Sequence, residues 1–153
     1  PSRPPRRGAA AASVEVVSEE LIREAATYVN PVRVGDRWFG DVASALVTSE
    51  GTHFHGVCVD TPSGTGFCAE AAAIGAMVTA GQRRIAQIVA RWRDPATERL
   101  HVLPPCGRCR LFISEIHADN LHSTRVVLGA DQESGLAALI PHHEWPPALD
   151  PSF

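Results

Sequence analysis

The sequence predicts an α/β domain in which helices alternate with the strands of a mixed sheet. Three observations support this prediction. Apolar residues recur at helical spacing in several stretches, other stretches are short, apolar and flanked by turn residues, and the two kinds are interleaved along the chain. The 153 residues suffice for one domain with a sizeable core, and 44% hydrophobic and 20% charged residues are ordinary values for a globular protein.

The first predicted element is a helix that begins near Ser18, whose hydroxyl suits an N-cap. Its apolar face consists of Leu21, Ile22, Ala25, Ala26 and Val29. Two strands follow, at residues 42–48 and 52–59, and a short turn that ends in glycine joins them. Residues 71–78 are almost entirely apolar and predict a second, buried helix.

The second half of the chain continues the alternation. Residues 84–91 fit either a helix or a strand, and the alternating pattern that follows them favours a strand. A third helix is expected at residues 109–117, and a strand apolar enough to be internal at residues 125–128. Residues 135–140 predict a last short helix, which the next residue, a proline, would end.

Composition divides the chain into three parts. Residues 1–12 are rich in arginine, proline and alanine and predict a flexible N-terminal extension without the apolar run of a secretory signal. This extension is either solvated or in contact with a ligand or partner, and its composition favours the solvated state. Residues 13–145 form the predicted domain, and residues 146–153 form a proline-rich C-terminal tail.

The charge and cysteine content of the chain indicate which binding partners and which cellular compartment to expect. The formal net charge is -3 and all 14 basic side chains are arginines, so the clustered cations of a nucleic-acid-binding surface are not expected. No stretch has the length of a transmembrane helix, which predicts no membrane partner. Three of the four cysteines are better explained as metal ligands than as disulfides, which indicates a reducing, cytoplasmic location.

The most informative feature is a pair of motifs, Cys68-Ala69-Glu70 and Pro105-Cys106-Gly107-Arg108-Cys109. Both precede predicted helices, whose positive N-terminal ends lower thiol pKa values and favour the thiolates that a metal needs. Three thiolates can hold a zinc ion and leave its fourth position for water. Glu70 lies two residues after the first cysteine and is placed to move the protons of that water.

Two alternatives remain open for these motifs. A Cys-x-x-Cys pair can be redox-active or half of a structural zinc site, and Cys58 is available as a fourth ligand. Glu70 discriminates between them, because a structural site has no use for a carboxylate at that position. The combination of both motifs therefore favours a catalytic site.

The two motifs resemble the signature of the zinc deaminases. The chain resembles the cytidine deaminase superfamily over residues 18–145, and within it the small homotetrameric nucleoside branch of cytidine deaminase and blasticidin-S deaminase. Residues 42–46, Val-Ala-Ser-Ala-Leu, resemble a strand of that branch, and residues 139–141, Leu-Ile-Pro, resemble its terminal segment. The resemblance implies a three-layer α-β-α sandwich with a mixed five-stranded sheet.

The resemblance also implies roles for the motif residues. Cys68, Cys106 and Cys109 would bind the zinc ion, and Glu70 would transfer a proton from the zinc-bound water to the substrate's ring nitrogen and then to the leaving amine. The backbone around Ala69 would contact the pyrimidine. Arg108 or Arg110 would offset the negative charge of three thiolates, because alanine replaces the arginine that follows the Cys-Ala-Glu motif in cytidine deaminases.

Departures from the family pattern lie where a sugar would bind. The Asn-x-Glu that holds the ribose hydroxyl in cytidine deaminases is Cys58-Val59-Asp60 here. Asp60 retains the acid, while Cys58 cannot replace the hydrogen bonds of asparagine. The family's base-packing aromatic residue falls at a glycine, which makes the preceding Phe39 a candidate for that contact. Trp145 is a candidate for closing the pocket of a neighbouring subunit.

The sequence therefore predicts a zinc-dependent hydrolytic deaminase, an aminohydrolase acting on the C–N bond of a cyclic amidine. It would convert the exocyclic amine of a cytosine nucleoside, of the cytidine, deoxycytidine or blasticidin-S type, to a carbonyl and release ammonia. The alternatives are a deaminase of another small aminated heterocycle and a non-catalytic zinc-binding assembly domain. The expected assembly is a homotetramer, as in the nucleoside branch that the chain resembles.

Overall fold

A computed structural model describes residues 14–143 of the chain. The helices are α1 Val14–Tyr28, α2 Ala69–Thr79, α3 Gly107–Ile116 and α4 Asn120–Ser123, with a 3₁₀ helix at Leu136–Leu139. The strands are β1 Val32–Val34, β2 Arg37–Phe39, β3 Val42–Thr48, β4 His53–Val57, β5 Ile85–Arg93, β6 Leu100–Val102, β7 Arg125–Gly129 and β8 Gln132–Gly135.

The main sheet is mixed, as the sequence predicts. Five strands lie in the order β4-β3-β5-β7-β8, and β6 pairs with the end of β5 as a sixth strand. The β5–β7 pairing is parallel and the other pairings of this sheet are antiparallel. Strands β1 and β2 form a separate antiparallel hairpin.

Both faces of the main sheet are covered, which gives three layers. On one face, α1 packs Leu21 and Ala25 against Ala45 and Val89. On the other face lies a larger cluster from α2, α3 and the 3₁₀ helix, whose buried members include Leu46, Ile74, Met77, Ile113, Val126 and Leu136. Apolar residues alternate between the faces of the strands because each face meets a helical layer. The predicted α-β-α fold class with a mixed sheet is confirmed, although the sheet has six strands rather than the five that the resemblance implies, because β6 pairs with the end of β5.

Helix α2 lies unusually close to the edge strand β4. A Cβ atom added at Gly56 of β4 would lie 2.3 Å from the backbone nitrogen of Ala73 and 2.7 Å from the carbonyl oxygen of Ala69. Only glycine allows this approach of strand and helix backbones. The contact sets the depth of the first two turns of α2 against the sheet, and those turns contain Glu70.

The loop between β4 and α2 is closed at its base by two backbone hydrogen bonds. The amide of Val59 donates to the carbonyl of Phe67 at 3.0 Å, and the amide of Phe67 donates to the carbonyl of Val59 at 2.9 Å. Three hydroxyls then bond across the loop, with distances of 3.1 Å from Thr61 to Thr65 and 2.8 Å from Ser63 to Thr65. The loop is therefore held in one shape before it reaches Cys68.

The predicted start of the first helix is wrong. Helix α1 begins at Val14, so Ser18 lies inside it and is 7% exposed. The Ser18 hydroxyl accepts a 2.7 Å hydrogen bond from Gln87 and donates to Glu133 at 3.3 Å. A tertiary network rather than a helix end therefore uses this hydroxyl, and a local capping rule cannot foresee a partner 69 residues away.

The other expected elements are present, and all but β3 have shifted ends. The ambiguous segment at 84–91 is the central strand β5, and the short helix at 135–140 is the 3₁₀ helix. The hairpin β1–β2, strands β6 and β8 and helix α4 were not predicted. Residues 1–12, Trp145 and the tail 146–153 lie outside the described residues. None of the helices in residues 14–143 combines the length and the apolar character needed to cross a membrane.

Candidate active site

Three cysteines meet where two helices begin. The sulfur atoms of Cys68, Cys106 and Cys109 all lie within 4.8 Å of one another, and those of Cys68 and Cys106 are 3.8 Å apart. Within residues 14–143 this is the one cluster of three or more histidine, cysteine or acidic side chains whose ligand atoms converge so closely. The sequence-predicted ligands are therefore brought together, although Cys68 and Cys106 are 38 residues apart.

Local backbone geometry explains the convergence. Cys68 is the N-cap of α2 and Cys106 is the N-cap of α3, and both have extended backbone angles that turn the chain into its helix. Cys109 lies in the first turn of α3, so it is on the same side of the helix as the cap. Two helix N-termini therefore point at one cluster, and their dipoles favour negative charge there.

One pair of sulfurs in the cluster has the spacing found in a zinc site. Tetrahedral coordination with Zn–S bonds of about 2.3 Å separates two sulfurs by about 3.8 Å, which is the separation of Cys68 and Cys106. Cys109 is 2% exposed, while Cys68 is half-buried and Cys106 is exposed. One side of the cluster is thus sealed by protein and the other is accessible, as a catalytic metal site requires.

Glu70 lies in the first turn of α2, beside the cluster, and is 5% exposed. Burial raises the pKa of its carboxyl group above the usual value, against the opposing effects of its own backbone amide and the Cys109 thiol. A raised pKa suits a group that accepts a proton in one step and returns it in another. The structure therefore places the predicted proton-transfer residue next to the predicted ligands.

The sulfurs differ in how readily they ionise. Burial and the neighbouring Glu70 carboxylate raise the pKa of Cys109, and burial also raises the pKa of Cys68. Burial acts in the same direction on Cys106, but hydrogen bonds from the backbone amide and thiol of Cys109 outweigh it and lower the pKa of Cys106. Several acidic groups crowded together in this way form the electrostatic environment that a divalent cation stabilises.

Cys58 is not a fourth member of the cluster. It lies just after β4, and its thiol donates a 3.0 Å hydrogen bond to Oδ1 of Asp41. Burial and the Asp41 carboxylate raise the pKa of Cys58 to about 11, which keeps the thiol neutral. The described residues therefore offer three sulfur ligands rather than the closed set of four that a structural zinc site usually has.

Asp60 lines a pocket of about 380 Å³ that opens beside Cys68. The walls of the pocket are Val59, Asp60, Thr61, Gly64, Gly66, Phe67, Cys68 and Arg108. The closed loop between β4 and α2 supplies most of this wall, so the position of Asp60 is set by the Val59–Phe67 pairing. Asp60 is therefore where a group attached to a substrate ring could be bound.

The two arginines of α3 differ in their surroundings. Arg110 donates through Nε to the carbonyl of Pro105 at 2.8 Å and through Nη1 to the carbonyl of Leu139 at 3.2 Å. It thereby holds the start of α3 against the 3₁₀ helix. Arg108 is exposed and lines both the pocket beside Cys68 and a neighbouring groove between α2 and α3.

The remaining predicted contact residues are spread more widely. Ala69 is fully buried at the start of α2, between Cys68 and Glu70. Phe39 ends β2 and is half-buried, and the next residue, Gly40, donates a 3.1 Å backbone hydrogen bond to the carbonyl of Cys58. Trp145 lies outside the described residues.

Two residues near the site are not predicted by the sequence patterns. Asp41 binds the Cys58 thiol, and Phe67 is 39% exposed on the wall of the pocket beside Cys68. Phe67 precedes the first predicted ligand directly, so an apolar residue beside the motif was an available signal. No sequence signal indicated Asp41, because its contact joins residues 17 positions apart.

Known proteins resemble this chain in sequence and in structure. Blasticidin-S deaminase of Bacillus cereus is 35% identical over 82 residues, which are 51% of this chain, and the chain spans 59% of the length of that relative. Cytidine deaminase of Mycobacterium tuberculosis superposes with a TM-score of 0.64 at 25% identity, over 81% of this chain and 94% of that one. Cytidine deaminase of Burkholderia pseudomallei gives 0.65 at 27% identity, over 81% and 96%. No family model matches the chain.

The fold and the site define an α/β protein with a three-thiol centre and a buried carboxylate at paired helix N-termini. The sequence relative is a deaminase by name, and the structural neighbours are cytidine deaminases whose fold resembles that of this chain. These likenesses in sequence and in structure support the cytidine deaminase superfamily for this chain.

Proposed function

We propose that this protein is a zinc-dependent hydrolytic deaminase, which replaces the exocyclic amine of a cytosine nucleoside by a carbonyl oxygen and releases ammonia. The observation on which this rests is the convergence of three sulfurs within 4.8 Å beside the buried carboxylate of Glu70. The names of the similar proteins, cytidine deaminase and blasticidin-S deaminase, support a nucleoside as the substrate class.

Cys68, Cys106 and Cys109 would hold the zinc ion. The distance between the sulfurs of Cys68 and Cys106 fits tetrahedral coordination, and the accessible side of the cluster leaves room for a small ligand. When bound, zinc supplies Lewis-acid activation of water at neutral pH. Within residues 14–143 the three thiols face no fourth sulfur that would close the site.

Glu70 would move the protons. Its carboxylate oxygen accepts a proton from the attacking water as the new C–O bond forms, and it delivers that proton to the ring nitrogen. A second proton passes through the same carboxylate to the departing amine, which leaves as ammonia. Burial of Glu70 raises its pKa towards the range in which both directions of transfer are efficient.

The substrate would lie against the loop between β4 and α2. The backbone around Ala69 would contact the base, because this residue joins the cysteine ligand to Glu70. Asp60 would bind a hydroxyl or amine of the non-base portion from the pocket beside Cys68. Phe39 and Cys58 would contribute the neighbouring contacts, with Cys58 acting through its bond to Asp41.

We also propose a homotetramer in the cytoplasm, in which Trp145 helps close a neighbouring pocket. A groove of about 510 Å³ between α2 and α3 supports the assembly, because its walls include Phe67, Ala72, Leu111 and Phe112. Phe67 and Leu111 are 39% and 43% exposed. Exposed apolar side chains next to a predicted active site favour a subunit contact at that position.

The test is ammonia release from a panel of aminated bases, nucleosides and nucleoside antibiotics, measured for the zinc-loaded protein and for Glu70→Gln. The amide keeps the volume of the side chain but cannot accept the proton, so turnover should fall by about 10²-fold or more. Zinc content and melting temperature should stay as in the unmodified protein. Activity above about a tenth of the original in Glu70→Gln would contradict the assigned role.

A further inference from the structure

Two thiols of the cysteine cluster are close enough to react with each other. The sulfur atoms of Cys68 and Cys106 lie 3.8 Å apart, although the two residues are 38 positions apart in the chain. A disulfide bond holds its sulfurs at about 2.0 Å, so these two atoms need to approach each other by about 1.8 Å. The fold therefore holds the two halves of a disulfide bond side by side while both thiols are free.

The thiols of the cluster differ in their access to solvent. Cys106 is exposed and Cys68 is half-buried, whereas Cys109 is 2% exposed. A small oxidant in solution therefore reaches the sulfur of Cys106 first, because oxidation of cysteine follows exposure. The accessible sulfur beside it is that of Cys68.

The fourth thiol of the chain, that of Cys58, has a different environment. It donates a 3.0 Å hydrogen bond to the carboxylate of Asp41, and burial together with this carboxylate raises the pKa of Cys58 to about 11. Because the thiolate is the form that attacks an oxidant, Cys58 stays unreactive at neutral pH. It therefore provides an internal reference for the reactivity of the cluster.

We propose that Cys68 and Cys106 form a redox modification site, at which a peroxide converts the two thiols into a disulfide bond. A metal ligand must be a thiolate, so the disulfide removes two of the three sulfur ligands and releases zinc. This site goes beyond the proposed function, because it involves neither the nucleoside nor the deamination step. It shares with the proposed function only the assignment of the zinc ligands.

The reaction with hydrogen peroxide has two steps. The sulfur of Cys106 attacks one peroxide oxygen, so that an S–O bond forms, the O–O bond breaks and the second oxygen takes up a proton and leaves as water. The sulfur of Cys68 then attacks the sulfur of Cys106, so that the S–S bond forms, the S–O bond breaks and a second water leaves. The two thiols lose two electrons and two protons in total, and the peroxide is reduced to two water molecules.

The test treats the zinc-loaded protein and the metal-free protein with hydrogen peroxide. Released zinc is measured with a chromogenic chelator, free thiols are counted in the denatured protein, and disulfide-linked peptides are identified by mass spectrometry. Zinc should be lost completely as the thiol count falls from four to two per chain. A thiol reductant followed by zinc should restore both the thiol count and the metal content.

The sequence allows the disulfide to be assigned without ambiguity. Trypsin cleaves after Arg108, which separates Cys106 from Cys109. Cys58 and Cys68 lie on one tryptic peptide, so the experiment is repeated with Cys58→Ser, in which Cys68 is the one cysteine left on that peptide. This variant should release zinc at the same rate as the unmodified protein, and its linked peptides should join Cys68 to Cys106.

The other outcomes would overturn the proposal. A disulfide between Cys106 and Cys109, or a sulfinic acid at Cys106 without any disulfide, would exclude Cys68 as the reaction partner. Retention of zinc and of all four thiols in excess peroxide would exclude the modification site altogether. The proposed function fails separately: a protein that forms the predicted disulfide but releases no ammonia from any nucleoside supports the modification site and contradicts the deaminase.

Discussion

Gly56→Ala tests how tightly the edge strand positions the site. The added methyl group would lie 2.3 Å from the nitrogen of Ala73, 2.5 Å from the Cβ of Ala72 and 2.7 Å from the oxygen of Ala69. To restore an ordinary contact of about 3.4 Å, helix α2 and strand β4 must separate by about 1 Å, and backbone atoms cannot rotate away as a side chain can. The start of α2, with Glu70, would have to move.

The expected cost follows from that displacement. Overpacking of a dense interior destabilises a protein by about 1–3 kcal/mol, which for a domain of this size lowers the melting temperature by about 3–10 °C. A shift of about 1 Å in a catalytic group can cost about 10²-fold in rate. We therefore expect Gly56→Ala to lose activity at temperatures at which it is still folded.

Thermal and urea unfolding give the stability, and ammonia release at 15 °C gives the rate. Gly75→Ala is the matched control, because Gly75 lies in α2 and nothing stands within 4 Å of the position of an added Cβ. This control should be as stable as the unmodified protein or more stable by about 0.5–1 kcal/mol, since alanine is the better helix former. The close approach of β4 and α2 would be refuted if Gly56→Ala melted and reacted like the unmodified chain.

Three further predictions concern other parts of the molecule. Glu24 contacts His53 at 2.6 Å and His55 at 3.1 Å. Burial acts to raise the pKa of Glu24, but the two histidines together outweigh it and lower that pKa. The contribution of ionised Glu24 to stability is therefore fully present above its unfolded-state pKa of 4.5, and it is lost as the pH falls through its lower folded-state pKa. The free energy of unfolding of Glu24→Gln should be lower than that of the unmodified protein at neutral pH, and this difference should shrink as the pH is lowered. A difference that stays constant down to pH 2 would be inconsistent with this linkage. Removal of metal with a chelator should abolish ammonia release and lower the melting temperature, and zinc should restore both, whereas Cys58→Ser protein should still bind one zinc per chain. Truncation from residue 142 onward should reduce the mass seen by light scattering together with activity, and an unchanged mass and rate would contradict the shared pocket.

The sequence predicts those parts of the site whose functional residues lie within a few positions of one another in the chain. Cys68 and Glu70, like Cys106 and Cys109, are within a few residues of each other, and a helix start gives such neighbours a common direction. The wall of the pocket was less predictable. The pairing of Asp41 with Cys58 and the contacts of Arg110 with Pro105 and Leu139 depend on tertiary structure, which no spacing rule encodes.

The fold was predictable where apolar periodicity was strong. Strand β3 has the predicted bounds Val42–Thr48, since six of its seven residues are buried and apolar or small. The role of Ser18 is not predictable from the local sequence, because a serine near a helix start looks the same whether its hydroxyl caps the helix or accepts a hydrogen bond from Gln87. The sequence does not predict strand β8, because its four residues lack the alternating apolar residues that mark a half-buried strand.

Strand β8 also forms one edge of the main sheet. An edge strand has unpaired backbone N–H and C=O groups that can pair with a strand of another molecule, and long apolar edge strands promote aggregation in this way. Strand β8, Gln132–Gly135, has only four residues. The carboxylate of Glu133 forms a 2.8 Å ion pair with the guanidinium of Arg125, which places charge on this edge strand. The polar composition that hid this strand in the sequence thus makes the β8 edge a poor template for the addition of another strand.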